Sequence, residues 1–210
     1  MYAKALSGLM DKPRDLPAGG EKEAAGARDD QILQEWAVVQ RAQAFDESAL
    51  ATLYSSYFPR IYNYAFLQLG DVQAAEDLAS EVMLKMLESI QKYRFKGAPF
   101  SAWVFRIARN RIIDVHRRRK RRGEVDLSEP IASSQISPQT LAERALDRGQ
   151  LQLALKYLTD DQRQVIVLKF IEGFDNASIA RILRRSEGAV KSLQHRALNA
   201  LRRIMSGESY

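Results

Sequence analysis

Apolar residues recur at intervals of three and four along most of the chain, a pattern typical of amphipathic helices. Between Leu50 and Leu67, apolar residues at positions 50, 53, 54, 57, 61, 64 and 67 recur at helical intervals. The pattern breaks at Gly70, and Asp71 is a candidate N-cap for a second helix over about residues 73–92. The predicted buried face of that helix consists of Leu78, Val82, Met86 and Ile90. Because no segment shows convincing strand alternation, the pattern predicts an all-α fold.

Two capping boxes mark helix starts in the second half of the chain. Glu143 lies three residues after Thr140, and Gln162 lies three residues after Thr159. In each pair, the side chain of one residue can accept a hydrogen bond from the free backbone amide of the other. The second box opens a segment containing the run VIVL, which resembles a short strand but has helical period on both sides. We therefore predict a helix that stops at Gly173.

Residues 175–203 have the spacing of a helix-turn-helix. Asp175 and Ser186 are the candidate N-caps of its two helices. The residues predicted to pack between these helices are Ile179, Ala180, Leu183, Val190 and Leu193. Arg184 falls in the turn, where a left-handed backbone costs a non-glycine residue about 1 kcal/mol. An αα-hairpin used only for packing is the alternative interpretation.

Two segments have the composition of connecting chain. Residues 1–30 combine prolines and glycines with mixed charge and no apolar period, which predicts a mobile N-terminal leader. Residues 123–139, GEVDLSEPIASSQISPQ, predict a flexible linker. The chain is thus predicted to form two small helical domains, over 31–122 and 140–206, with the helix-turn-helix in the second.

Positive charge is concentrated in one predicted helix. Residues 103–122 contain nine arginines and lysines against the single acid Asp114, a net charge of +8, whereas the whole chain carries +6. Five aromatic residues lie between Tyr93 and Phe105. This combination suits single-stranded nucleic acid, because the cations neutralise phosphates and the aromatic rings stack against bases. The alternative is an ordinary amphipathic helix with core aromatics.

The preceding helix is acidic. Between Asp71 and Ser89 five acids face one lysine, a net charge of −4. This pattern fits either a solvated surface or a docking face for a basic partner helix.

Several functional classes lack the residues that they need. The chain has no cysteine, so disulfides and thiolate metal sites are excluded. Its two histidines, His116 and His195, lie on basic helices without metal-ligand spacing, and no glycine-rich phosphate loop occurs. We therefore predict no catalytic residue, metal, cofactor or small-molecule substrate. Without a signal peptide or an apolar run of membrane length, the sequence predicts a cytoplasmic protein with no membrane span.

The order of these elements resembles the extracytoplasmic-function (ECF) group of the bacterial sigma-70 family of transcription initiation factors. The carriers of the resemblance are DVQAAEDLASEVMLKML at 71–87, FSAWVFRIARNRIIDVHRRRKR at 100–121, and the segment from LTDDQRQ to NALR at 158–202. The resemblance covers about residues 40–205 and lacks the central third region of housekeeping factors. It implies a factor that docks on core RNA polymerase, recognises the −10 and −35 promoter elements, and promotes DNA opening.

The resemblance also implies site residues and partners. Residues 31–122 would be region 2, docking on the polymerase β′ coiled coil through Asp77, Ser80, Glu81 and Lys85. The residues implied for −10 recognition and melting are Arg94, Lys96, Trp103, Arg106, Arg109, Asn110, Arg117 and Arg118. Region 4, over 140–206, would touch the β flap and read the −35 duplex through Ser186, Glu187, Gly188, Ala189, Lys191, Ser192, His195 and Arg196. An anti-sigma factor is the further partner that the group implies.

Three residues depart from the family pattern. Ser80 stands where glutamine is frequent, and Ala189 and Leu193 replace a common threonine and arginine. These departures put individual docking and −35 contacts in question. The competing classes are an enzyme, an ordinary dimeric helix-turn-helix regulator and a scaffold. A regulator does not need an arginine-rich helix beside a loop with aromatic residues, which we call the aromatic loop (residues 94–100).

Overall fold

The computed structural model describes residues 20–95, 97–122 and 151–205, with side chains described from Ile32 to Arg203 within those ranges. Every regular element in them is helical, which confirms the predicted all-α class. The N-terminal half contains α1 (Gly20–Gln43), α2 (Glu47–Leu69), α3 (Val72–Ser89) with a 3-10 turn at Ile90–Lys92, and α4 (Phe100–Arg122). The C-terminal half contains α5, described over 151–156, α6 (Asp160–Ile166), which continues as a π-helical turn (Val167–Ile171), α7 (Asn176–Leu183) and α8 (Glu187–Met205).

The predicted caps are present wherever the structure describes them. The Asp71 carboxylate accepts from the amide of Ala74 at the start of α3, and Thr159 and Gln162 form the capping box of α6. Asp175 caps α7, and the Ser186 hydroxyl accepts from the amide of Ala189 in α8. The run VIVL is helical, as predicted.

Two backbone positions confirm the expected helix ends. Gly70 has φ 72° and closes α2, while Gly173, with φ 75°, follows the π-helical turn. Arg184 has φ 52° and ψ 48°, so the turn of the helix-turn-helix does place an arginine in the left-handed region.

The start of α1 differs from the sequence pattern. Helical patterning is predicted from about residue 30, whereas α1 begins at Gly20. Residues 21–27, EKEAAGA, contain good helix formers but no apolar period, so a prediction based on hydrophobic spacing does not detect them. Residues 1–19, the linker 123–139, the capping box at Thr140 and Lys96 lie outside the described residues.

The predicted core residues are buried in both halves. Leu78, Val82, Met86 and Ile90 are at most 3% exposed, and Ile179, Ala180, Leu183, Val190 and Leu193 are also buried. In the N-terminal half α2 packs on α3 and α1, and α4 packs against α3. In the C-terminal half α6 and α7 pack against α8.

The two halves also pack against each other. Helix α7 lies on α4, and α6 contacts α2. The rings of Phe105 and Phe174, one from each half, meet edge to face with centroids 5.1 Å apart. The sequence predicts two domains and a linker but does not reveal this contact.

Candidate nucleic-acid and polymerase interfaces

The basic helix α4 begins at a carboxylate from α1. The amide of Phe100 donates to Glu35 Oε2 at 3.0 Å, and the Tyr57 hydroxyl from α2 donates to the other carboxylate oxygen. A negative charge is favourable at a helix N-terminus, where the first amides have no partner within the helix. Glu35 thereby fixes the point at which the aromatic loop joins the basic helix.

Two further α1 residues hold the chain that leads into this loop. Gln43 Nε2 donates to the carbonyls of Ile90 at 2.8 Å and Tyr93 at 2.9 Å. The indole of Trp36 lies 6.0 Å from the Tyr93 ring and 5.7 Å from the Phe95 ring. Local sequence patterns do not reveal these α1 residues, because each contact joins residues that are far apart in the chain.

A cavity of about 420 Å³ opens between the loop and α4. It is lined by Lys92, Tyr93, Arg94, Ala98, Pro99, Ala102, Trp103, Arg106 and Arg181. The half-buried indole of Trp103 lies 5.0 Å from the Tyr93 ring and 5.2 Å from the Phe100 ring. Cations around an aromatic wall give this cavity the means to hold an unstacked base and its phosphate.

The predicted −10 residues fall into three groups. Arg94, Trp103 and Arg106 line the cavity together. Arg117 and Arg118 are exposed and line a separate groove of about 690 Å³ near the end of α4, while Asn110 is exposed between the two. The structure therefore does not bring all the predicted residues into one site.

Arg109 is the remaining member and faces the other half of the protein. Burial lowers its pKa, the cations of Arg184 and Arg185 lower it further, and the Asp161 carboxylate opposes the shift. Its Nε is buried without a hydrogen-bond partner. Arg109 is therefore half-buried and lies near charged residues of the C-terminal half.

The predicted docking residues share the solvent face of α3. Asp77, Ser80, Glu81 and Lys85 are all exposed. The Lys85 ammonium pairs with Glu88 at 3.1 Å, and Arg111 of α4 lies 3.5 Å from Glu81. The face therefore stays predominantly acidic while one of its carboxylates contacts the basic helix.

Two leucines interrupt this acidic face. The side chains of Leu84 and Leu87 are 59% and 37% exposed. Exposed leucines at helical spacing beside charged residues are typical of a protein-binding surface. Neither leucine was predicted as a docking residue, although their positions between Glu81 and Glu88 were a usable signal.

The predicted −35 residues lie along the open side of α8. Ser186, Glu187, Gly188, Lys191, Ser192, His195 and Arg196 are exposed, and Ala189 is half-buried. Ser192 Oγ donates to the Gly188 carbonyl at 3.0 Å, and Arg196 Nε donates to the Ser192 carbonyl at 3.4 Å. Such a face can enter a duplex groove without rearrangement of the helix.

Leu193 explains one departure from the family pattern. Its side chain is 8% exposed and belongs to the hydrophobic core of the C-terminal half. The apolar residue at this position packs inside the domain, so this position supplies no cation to DNA.

Among the described residues no group of three or more His, Cys, Asp or Glu side chains could hold a metal ion. No helix in the described ranges is long and apolar enough to cross a membrane.

Both halves match known protein families. The sigma-70 region 2 family model matches residues 53–122, and the sigma-70 region 4 model matches residues 148–201. The chain is 33% identical over 174 residues to the ECF RNA polymerase sigma factor BldN of Streptomyces coelicolor, covering 82% of this chain and 66% of BldN. It is also 33% identical over 165 residues to the ECF RNA polymerase sigma factor SigX of Bacillus subtilis, covering 76% of this chain and 84% of SigX.

The chain belongs to the ECF group of sigma-70 factors. Sigma factors are transcription initiation factors and not enzymes, which confirms the predicted class and excludes the enzyme alternative. Among solved structures, the sigma factor RpoE of Bartonella quintana in complex with the anti-sigma factor NepR is 27% identical. It superposes with a TM-score of 0.62 over 74% of this ECF factor and 96% of RpoE.

Proposed function

We propose that this ECF factor docks on core RNA polymerase through α3 and presents promoter DNA to two separate surfaces. The observation that carries this proposal is the clustering of Arg94, Trp103 and Arg106 around one cavity, in a chain whose helix α3 exposes an acidic face. The cavity takes an extruded base of the −10 element, and the open side of α8 reads the −35 duplex. Asp77, Ser80, Glu81 and Lys85 form the polar part of the docking face, and Leu84 and Leu87 its apolar part.

Promoter opening by these surfaces is a binding reaction. Stacking an extruded base on an aromatic side chain contributes about 1–3 kcal/mol, which is comparable to the cost of unpairing it. Opening therefore needs several such contacts to act together on a duplex that polymerase already holds. Arg117 and Arg118, in their separate groove, suit the phosphates of duplex DNA next to the opened segment.

Two further assignments follow from the family. The relative RpoE is solved with an anti-sigma factor, and we propose that this chain also has an anti-sigma partner. As a factor that works on core polymerase and DNA, it acts in the cytoplasm.

Run-off transcription tests the proposal. Purified core polymerase, with and without this protein, is given a pool of promoter fragments from the host genome. New transcripts with discrete start sites are expected only when the protein is present. Absence of both transcripts and co-migration with core would contradict the proposal and favour an ordinary helix-turn-helix regulator, which should instead bind a palindromic duplex without polymerase.

A further inference from the structure

An exposed aromatic side chain lies at the turn between α1 and α2. Phe45 is 69% exposed, and its φ of 62° is in the left-handed region. The amide of Phe45 donates to the carbonyl of Ala42, and the amide of Asp46 donates to the carbonyl of Arg41, each at 3.1 Å. These two bonds form a Schellman motif, in which glycine is the usual left-handed residue because it has no Cβ. The chain thus has a bulky aromatic residue where the turn itself favours glycine.

Polar side chains hold this turn in its conformation. Arg41 donates from Nε to Asp46 Oδ2 at 2.8 Å and from Nη2 to Ser48 Oγ at 2.6 Å. The Ser48 hydroxyl donates to Asp46 Oδ1 at 2.7 Å, and the same oxygen accepts from the amide of Ala49 at 3.1 Å. The Phe45 ring lies outside the hydrophobic core that the described residues form. The turn is therefore held by its polar groups, and the ring is displayed on a fixed backbone.

The conformation of Phe45 is unfavourable for the free protein. A left-handed backbone is rare for a bulky residue, and strain of this kind is concentrated at functional sites. A single exposed apolar side chain needs no explanation by itself, but one that also strains the backbone does. A fixed aromatic ring suits an interface, because it buries a large apolar area while losing little conformational entropy.

The turn adjoins the end of the docking helix. Gln43, two residues before Phe45, donates to the carbonyl of Ile90 at 2.8 Å. Ile90 begins the 3-10 turn that follows α3, and the exposed Leu87 lies three residues before it. The turn that carries Phe45 is therefore next to the end of α3 at which the docking face finishes.

Charge at the turn favours a protein partner over nucleic acid. Asp46 and Glu47 follow Phe45 directly, and the one cation between residues 40 and 48, Arg41, pairs with Asp46 at 2.7 Å. Hydrogen bonds, above all from Ser48, lower the pKa of Asp46, so this carboxylate stays charged. Carboxylates repel phosphates, and their sign matches that of the acidic face of α3. One basic surface can therefore cover both.

We propose that Phe45 is an anchor for core RNA polymerase, and that its ring is buried on an apolar site beside the basic surface to which α3 docks. This inference rests on the docking role of α3 proposed above. Folding and binding then favour different residues at position 45, since glycine suits the turn and an aromatic ring suits the complex.

This opposition gives the test its signs. Phe45→Gly removes the ring and relieves the left-handed strain, so the midpoint of urea unfolding should rise. Its affinity for core polymerase should nevertheless fall by about tenfold, because the ring no longer becomes buried. Phe45→Tyr retains the ring and should recover most of that affinity. Fluorescence titration of the labelled full-length chain with core polymerase measures binding.

Arg184→Gly is the matched control. Arg184 and Phe45 are the two non-glycine residues of the described ranges with positive φ, so both substitutions relieve the same strain. Arg184→Gly should also raise the urea midpoint, while its affinity for core stays that of the unaltered chain. Equal affinities of Phe45→Gly and Arg184→Gly for core would overturn the inference, and so would a lower urea midpoint for Phe45→Gly, because the ring would then serve the fold.

Two further outcomes identify what has failed. Unchanged core binding with reduced permanganate reactivity of promoter thymines would overturn the inference and assign the Phe45 ring to DNA. Weaker core binding by Leu84→Ala but not by Phe45→Gly would leave the docking role of α3 in place and reject only the anchor. Failure of the unaltered chain to bind core would instead reject the proposed function.

Discussion

Glu35 shows how one side chain can organise a site that it does not belong to. Its carboxylate accepts from the first amide of α4 and from the Tyr57 hydroxyl, so it joins α1, α2 and α4 at the start of the basic helix. Burial and the nearby Glu35 charge both raise the pKa of Tyr57, so this hydroxyl remains a donor. Glu35 is therefore a positioning residue for the aromatic loop.

Removing this carboxylate should impair promoter opening more than it impairs folding. Hydrogen bonds to a charged group contribute about 1.5–3 kcal/mol. We expect Glu35→Ala to reduce permanganate reactivity of −10 thymines by about tenfold in the polymerase complex, with −35 duplex binding unchanged. Glu35→Gln keeps an acceptor and should recover part of the reactivity, whereas Gln34→Ala, an exposed neighbour, should have no effect. A fall in opening that is not recovered by glutamine would argue against positioning.

The arginine run at the end of α4 contains residues with different tasks. Arg119 Nη1 donates to the carbonyl of Leu69 at 3.3 Å, at the last turn of α2, and its side chain is half-buried. Arg117 and Arg118 are exposed. The sequence alone treats these three as one basic tract.

Separate substitutions should resolve these tasks. Arg117→Ala with Arg118→Ala is expected to weaken promoter binding and to reduce the slope of log affinity against log salt by about 0.9 per lost phosphate contact. Arg119→Ala should instead lower the free energy of unfolding by about 1 kcal/mol, and it should change the salt slope less than the double substitution does. Salt titration and urea unfolding measure the two effects. An unchanged slope in the double variant would rule out its phosphate contacts.

At the scale of elements, the turn of the helix-turn-helix carries a removable strain. Arg184 adopts φ 52°, a conformation that glycine accepts without a Cβ penalty. Arg184→Gly is expected to raise the free energy of unfolding by about 0.5–1 kcal/mol. Gln194→Gly, in the interior of α8, should lower it by about 1 kcal/mol. Thermal unfolding measures the stability of both variants. If Arg184→Gly is less stable than the unaltered protein, the Arg184 side chain stabilises the fold by more than its left-handed backbone conformation destabilises it.

The docking helix offers a prediction about its apolar residues. Burying a leucine at an interface contributes about 1.5–3 kcal/mol, so Leu84→Ala should weaken binding to core polymerase by about tenfold. Leu33→Ala is the matched control, because Leu33 is 61% exposed on α1, away from this face. Binding to core is measured by fluorescence titration. Equal effects of the two substitutions would show that Leu84 is not part of the interface.

Local signals account for most of the predicted elements. The caps at Asp71, Thr159, Asp175 and Ser186 were predictable because each acts within three residues. The start of α1 at Gly20 was not predictable from hydrophobic spacing, because its first turns have high helix propensity but no apolar face. The packing role of Leu193 was predictable as well, because its spacing from Val190 places both residues on the buried side of α8.

At the scale of the whole molecule, the contacts between halves were beyond sequence reasoning. Arg60 and Glu172 are 112 residues apart in the chain, and neither belongs to a recognisable motif. Their pairing links the −10 helix to the helix-turn-helix through Phe105 and Phe174. The relative position of the two DNA-reading halves therefore depends on a few side chains that no local pattern marks.

Glu172 makes the packing of the two halves pH-dependent. Burial raises its pKa, and the neighbouring Arg60 only partly opposes that rise despite the ion pair. When the halves separate, the carboxyl becomes solvated and its pKa returns to near the ordinary value of about 4.3. The packed arrangement therefore binds the proton more tightly, so it is most stable below the ordinary value and weakens as pH rises through the raised pKa of Glu172.

Energy transfer between dyes attached at Ser56→Cys and Tyr157→Cys, one exposed position in each half, should accordingly increase as pH is lowered from neutrality towards 5. Glu172→Gln is uncharged at every pH and should remove this component while leaving the two halves packed together. Arg202→Ala should retain it. A pH response of equal size in the Glu172→Gln protein would assign the effect to other groups at the interface, of which His116 and the α6 carboxylates are the nearest to the basic helix.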